Sequence, residues 1–280
     1  GSSLHYMQQQ FPARTFDVGI AEEHAVTFAA GLASQGLLPF LVIYSTFLQR
    51  GYDQLIHDVA LQQLKVIFCI DRAGLVGEDG ATHQGVFDIA YLRCIPHIEI
   101  FAPRNEVELR NILYTAQLPE QDKALAIRYP RGYGQLTAWQ LPFEKIEKKG
   151  LQLREGTRYA VLSVGTIANE VAQEIDQHPD AGAFAHYDMR WIKPLDEALL
   201  HHILSQYEAV ITVEEGCKAG GFGESIVVFA KEKGYSLPIK IVAIADVFVE
   251  QGTVALQREF ASLTNLLNVA FKAIGSYLLP

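Results

Sequence analysis

Cysteine is scarce in this chain. Cys69, Cys94 and Cys217 are the only three in 280 residues, widely spaced and without a CxxC pair. An odd, scattered set excludes a disulfide framework and argues against a zinc site, so no metal ligands are assigned within the chain. Runs of Lys and Arg are also missing, and 23 basic residues stand against 32 acidic ones for a net charge of -9. Nucleic acid is therefore not an expected partner. The longest apolar runs, 37–44 and 65–70, have the length of strands rather than bilayer spans, so no membrane association is expected. No charged-then-apolar leader opens the sequence, and the expected location is the cytoplasm. Fixed-period repeats and low-complexity tracts are lacking as well. What remains is 49% hydrophobic with a mean hydropathy of +0.10, enough for a large core, and a mass of 31.1 kDa that suits two domains.

The apolar pattern alternates in the manner of βαβ units. Residues 15–20 form a short apolar, β-friendly run, and 21–34 place Ala21, Ala25, Phe28, Ala29 and Leu32 at helical spacing before Gly36. The continuous runs PFLVIY (39–44) and KVIFCI (65–70) are those of buried parallel strands, with a helical stretch over 46–64 between them. From about 129 to 156 the pattern breaks, with Pro130, Gly132, Gly134, Pro142 and a basic stretch at 145–149. Strands are then expected at 159–164, 183–188, 208–213 and 239–245, and helices at 169–177 and 226–233. The reading is two consecutive α/β domains with mostly parallel sheets, over 1–135 and 156–280, joined by a linker at 136–155.

Chemistry-bearing residues gather after the expected strands. The stretch DRAGLVGEDGATHQGVFD (71–88) follows a buried strand and holds four glycines with Arg72, Glu78, Asp79 and His83. Ligands in open α/β sheets sit outside the carboxyl ends of strands, so this loop is a candidate site; a solvated loop making local turn bonds is the alternative. Glu22, in AEEH, falls at a helix start, where Glu22 and Glu23 also complement the helix dipole. Tyr44, Phe47 and Arg50 end the next strand and open its helix. Phe47 and Arg50 share a face that could receive a ring and a phosphate, or could be ordinary packing under a snorkelling arginine. Arg128 and Arg131 flank the proline of RYPRG, where two guanidiniums suit anion capture or a surface salt bridge. The glycine-rich 214–224 lacks the GxGxxG spacing and reads as a tight loop at a domain or subunit contact.

Taken together, FDVGIAEEHAVTFAAGLA, IYSTFLQRGYDQ, DRAGLVGEDGATHQGVFD, RYPRG and DMRWIKPLDEALL resemble the 1-deoxy-D-xylulose-5-phosphate synthases, thiamine-diphosphate enzymes of the transketolase superfamily. The resemblance covers nearly the whole chain and implies a pyrimidine-binding domain, N-terminally incomplete, followed by a transketolase C-terminal domain. It implies thiamine diphosphate as cofactor and pyruvate and glyceraldehyde 3-phosphate as substrates, in a homodimer. It places the magnesium ligands in an N-terminal domain outside this sequence. The chain is then a fragment, inactive alone. By the same resemblance Glu22 contacts the aminopyrimidine ring, where a partly desolvated carboxyl is needed. Phe47 stacks on that ring with Arg50 close by. Tyr44, Asp79 and His83 line the substrate channel, His83 moves protons, and Arg72 and Arg131 hold the triose phosphate. Glu23 stands where many relatives carry Gln. Three other readings stay open: the β-subunit of a 2-oxo acid dehydrogenase, an ordinary transketolase, and a non-catalytic dimerisation module.

Overall fold

The computed structural model describes residues 4–134, 142–261 and 263. Two five-stranded sheets organise them. In the first, β1 (Phe40–Tyr44), β2 (Ile67–Asp71), β3 (Ile98–Phe101) and β4 (Ala124–Arg128) run parallel in the order β1-β2-β4-β3. In the second, β5 (Leu151–Arg154), β6 (Tyr159–Ser163), β7 (Phe184–Asp188), β9 (Ala209–Cys217) and β10 (Ile239–Ile244) take the order β10-β9-β6-β7-β5. Every residue of β2, β4, β6 and β7 is buried, as strands covered by helices on both faces must be. The expected α/β class with mostly parallel sheets is what the chain adopts.

The halves are interlocked. A three-residue strand from the second half, β8 (Trp191–Lys193), caps the first sheet by pairing antiparallel with β3. Leu151–Arg154, inside the stretch expected to be linker, instead forms the antiparallel edge of the second sheet against β7. Residue 135 of the expected first domain, 136–141 of that expected linker, and 262 and 264–280 of the second domain lie outside the described residues. Among the described residues no helix is long and apolar enough to cross a membrane.

The expected strand at 15–20 does not form. A 3-10 turn over Pro12–Arg14 leads into irregular chain, where the Asp17 carboxylate accepts from the Gly19 amide at 2.9 Å. A local Asx-type bond thus takes the place of ladder bonds. Phe16 packs edge-on against Phe28, while the Ile20 side chain is 97% exposed. The helical stretch after β1 is broken into Ser45–Leu48, a 3-10 turn at Gln49–Gly51, Tyr52–Gln54 and a π-type turn at Leu55–Ala60. The helix expected at 226–233 starts four residues earlier, as Phe222–Glu232. Its cap is remote: the Glu214 carboxylate of β9 accepts from the amides of Phe222 and Gly223, each at 2.8 Å. Burial pushes that carboxyl up to about 7, against the pull of those two amides.

A buried imidazole makes the second sheet acid-sensitive. His186 on β7 is 1% exposed, with Nε2 2.7 Å from the Ser163 hydroxyl of β6. Burial first, then Arg104 and Arg154, lower its pKa from 6.5 to about 4. The unfolded chain therefore takes up a proton at a higher pH than the folded one. This contribution is complete above pH 6.5 and is lost as the pH falls towards 4. Replacing His186 by Gln should reduce the fall in unfolding free energy across that window by roughly 2–3 kcal/mol, read from urea denaturation at several pH values.

Candidate active site

Strand register brings the candidate residues to one edge. Tyr44 lies opposite Asp71, and Ile70 opposite Arg128, so the chain leaves β1, β2 and β4 at the same level. Tyr44, Arg72 and Arg131 emerge there together. The Arg72 guanidinium sits 3.7 Å from the centroid of the Tyr44 ring and donates to Asp71 at 2.9 Å. Its Nε is 3.7 Å from the Asp79 carboxylate, and Arg131 Nε reaches the same oxygen at 3.2 Å. One carboxylate thus lies between two guanidiniums.

The apolar wall continues from Tyr44. Its ring stacks on Phe47 with centroids 5.3 Å apart at 14°. Phe47 meets His83 edge-on at 5.4 Å and carries the Arg50 guanidinium 5.2 Å from its centroid. The Thr82 hydroxyl lies 2.9 Å from His83 Nδ1, and Thr46 donates to the Thr82 carbonyl at 3.2 Å. Tyr44, Phe47, Arg50, Arg72, Asp79, His83 and Arg131 therefore form one contiguous surface.

Glu22 joins it through its backbone. It opens the helix Glu22–Ser34, which packs on the Gln49–Gly51 turn. A Cβ on Gly51 would stand 2.8 Å from the Val26 side chain and 3.2 Å from the Glu22 carbonyl oxygen, so only glycine allows this approach. The Glu22 side chain is half-buried, and among the described residues nothing hydrogen-bonds or ion-pairs with its carboxyl. Nearby, the buried hydroxyl of Ser45 and the amide oxygen of Gln54 also lack partners among the described residues.

The loop bearing Arg72, Asp79 and His83 is shaped by its own backbone and by the second domain. Gly74 and Gly85 exchange two backbone bonds of 2.7 and 2.8 Å, which close the loop. Arg72 enters it in the left-handed region at φ 60°, a conformation costing about 1 kcal/mol or more that this closure holds in place. Gln84 accepts from the Val76 amide at 3.0 Å and donates to the Val249 carbonyl at 3.2 Å.

Arg128 does not join the surface that runs from Arg50 to Arg131. It is 5% exposed and forks onto Asp88 with bonds of 3.0 and 3.1 Å, donating also to the Glu215 carbonyl at 3.3 Å. As the last residue of β4 it still points into the interior, whereas Arg131, three residues on, is 41% exposed. Of the two arginines of RYPRG, only Arg131 has a guanidinium open to solvent, while Arg128 is taken up by an interior ion pair. The expected tight loop at 214–224 is only 218–221, between the end of β9 and the helix Phe222–Glu232, and the stretch is a contact between the two sheets' domains: Arg93 donates to the Gly220 and Gly221 carbonyls, and the Cys217 amide donates to the Val86 carbonyl at 2.8 Å. Sequence reasoning passed over Ser45 and Gln257; the Gln257 partner Gly77 lies in the first domain, and the Ser45 hydroxyl has none among the described residues.

With this geometry in view, the comparisons are decisive for the family. The transketolase pyrimidine-binding domain matches residues 1–135, and the transketolase C-terminal domain matches 148–265. The chain belongs to the transketolase family. This transketolase-family chain is 50% identical over 257 residues to the 1-deoxy-D-xylulose-5-phosphate synthase of Azobacteroides pseudotrichonymphae genomovar. CFP2, covering 91% of the chain and 41% of that relative. The corresponding synthase of Cytophaga hutchinsonii is 50% identical over 255 residues, covering 90% of the chain and 40% of the relative. The chain thus spans about two fifths of the length of these relatives. Among solved structures, a split-gene transketolase described as an inactive beta4 tetramer superposes with a TM-score of 0.86 at 26% identity, over 98% of this chain and 89% of that one. Transketolase from Campylobacter jejuni shares the fold, with a TM-score of 0.72 at 18% identity over 93% of this chain and 39% of that one.

Proposed function

We propose that this chain supplies the pyrimidine-side half of a thiamine-diphosphate carboligase site. The reaction is condensation of pyruvate with D-glyceraldehyde 3-phosphate, with loss of carbon dioxide, to 1-deoxy-D-xylulose 5-phosphate. The observation that carries the reading is the contiguous surface running from Arg50 through Phe47, Tyr44 and Arg72 to Asp79 and Arg131, with His83 on Phe47. The 50% identity to synthases of that name supports it.

The residues present fit the aminopyrimidine end of the cofactor. An unpartnered carboxyl at Glu22 matches a ring nitrogen, and the half-buried Phe47 offers a face for the ring. They do not fit the magnesium end: among the described residues no three His, Cys, Asp or Glu side chains come together as a metal site, and no step is routed through magnesium. When bound, the cofactor supplies the carbon nucleophile that adds to the 2-oxo acid. Glu22 holds the proton at the pyrimidine nitrogen. Arg72 and Arg131 bind the triose phosphate dianion, for which a pair of guanidiniums is the strongest side-chain receptor. Asp79 spaces those guanidiniums, and Tyr44 forms the wall between ring and phosphate. His83 exchanges protons with the substrate hydroxyl and carbonyl oxygens.

The test joins the chain to the diphosphate-binding domain of a synthase relative and follows carbon dioxide release from pyruvate. Release should depend on glyceraldehyde 3-phosphate, and the 280-residue chain alone should show none. Arg131→Ala should raise KM for the triose phosphate about tenfold or more, the loss of one charge-assisted bond, and leave KM for pyruvate within twofold. Release indifferent to the triose phosphate would point to a 2-oxo acid dehydrogenase β-subunit instead.

A further inference from the structure

The turn that carries Asp79 is gripped by the second domain through one side chain. Gln257, 2% exposed on the helix Val254–Phe260, accepts from the Gly77 amide at 2.9 Å and donates to the Gly77 carbonyl at 2.8 Å. It donates also to the Glu250 carbonyl at 2.8 Å. An amide side chain presents a donor and an acceptor side by side, so it satisfies both polar groups of one buried backbone residue as a neighbouring strand would. Gly77 begins the 3-10 turn Gly77–Asp79, two residues before the carboxylate that separates Arg72 from Arg131. Arg131 in turn leans on the Val76 carbonyl.

The turn lies flat on its support. A Cβ on Gly77, at φ 68°, would meet the Val254 side chain at 3.3 Å, and one on Gly80 would meet that of Gln251 at 3.5 Å. The support is itself anchored. Arg258, next to Gln257, bonds Glu215 at 2.8 Å and Glu170 at 2.5 Å, both in the second domain. Gln257 therefore sits on a braced helix, not on a free end.

From this geometry we propose that Gln257 is a positioning residue for the phosphate-binding pair. By fixing Gly77 it sets the height of Asp79, and so the spacing at which Arg72 and Arg131 engage one anion together. The C-terminal domain thereby takes part in acceptor binding without touching the acceptor. The inference rests on the carboligase reading for its substrate, and on the structure alone for its mechanics. It predicts a selective defect, because Glu22 and Phe47 belong to other elements that Gln257 does not hold.

The test has two readouts. In the chain joined to the diphosphate-binding domain, Gln257→Met, of similar volume without the amide, should raise KM for glyceraldehyde 3-phosphate about tenfold. KM for pyruvate should stay within twofold. Gln257→Glu, which keeps the acceptor for the Gly77 amide but turns an oxygen towards the Gly77 and Glu250 carbonyls, should raise the same KM at least as much. On the 280-residue chain alone, hydrogen exchange at 76–80 should quicken in both variants while exchange in β2 and β6 stays at the wild-type rate. An unchanged triose-phosphate KM in either folded variant, or an equal rise in both KM values, overturns the proposal. If the joined wild-type protein shows no triose-dependent turnover, the carboligase reading falls. The exchange experiment then decides the clamp: wild-type rates at 76–80 in both variants overturn it, and faster ones uphold it.

Discussion

Glu22→Gln in the chain joined to the diphosphate-binding domain of a synthase relative should slow triose-dependent pyruvate decarboxylation by about a thousandfold, the range a positioned acid or base contributes. Stability should hardly move. Glu22 lies in the first turn of its helix, where a carboxylate contributes about 0.3–1 kcal/mol through the dipole, so the urea midpoint shifts little. The two effects separate because the carboxyl has no partner among the described residues: its removal breaks no bond of the fold. The Gly51 contact involves the Glu22 backbone, which Gln leaves in place. Glu22→Asp, one methylene shorter, should retain part of the rate. An unaltered rate in Glu22→Gln would remove the catalytic reading and leave the domain as an assembly module.

The strands without an interior charge were legible. IFCID and FLVIY read as continuous apolar runs: β2 is buried throughout and carries its one carboxylate, Asp71, only at its end, and β1, half-buried at the sheet edge, carries no charge. IEIF and ALAIR did not, because Glu99 and Arg128 interrupt them. Both are neutralised from outside their strands: Glu99 by Gln121 at 2.9 Å and Lys148 at 2.6 Å, and Arg128 by Asp88. An apolar-run criterion cannot see a charge whose partner is forty residues away. The opposite error occurred at 15–20, where composition suits a strand but no described strand lies alongside to pair with it.

The candidate site divides in the same way. Tyr44 ends β1 and Phe47 follows it by three residues, while Arg72, Asp79 and His83 lie on the loop that leaves β2, so the rule that ligands sit at carboxyl ends points to them. Gln257 bonds a residue 180 positions earlier, and its helix gives no sign of it. The two arginines of RYPRG differ only in whether β4 has ended. That boundary, not their shared residue type, decides which one faces solvent.

Arg128→Met should therefore destabilise the protein by about 3–5 kcal/mol, since it leaves the Asp88 carboxylate buried without its counter-ion. Asp88 is fully buried, and apart from Arg128 its side chain takes one bond, from the Ile89 amide at 2.9 Å. Burial alone pulls the Arg128 pKa down, and Asp88 more than restores it. Arg128→Met with Asp88→Leu should recover most of the loss, because two apolar groups of similar volume can replace such a pair. Arg158 and Glu208 make the internal control. They hold comparable geometry at 2.8 Å but are about half exposed, and breaking them should cost under about 1 kcal/mol. Unfolding free energies from urea titration of the four proteins measure all of this. Because Arg128 also bonds the Glu215 carbonyl, its loss loosens the contact that seats the second domain against β4. A loss below about 1 kcal/mol in Arg128→Met would return this arginine to the surface role that its spacing from Arg131 suggested.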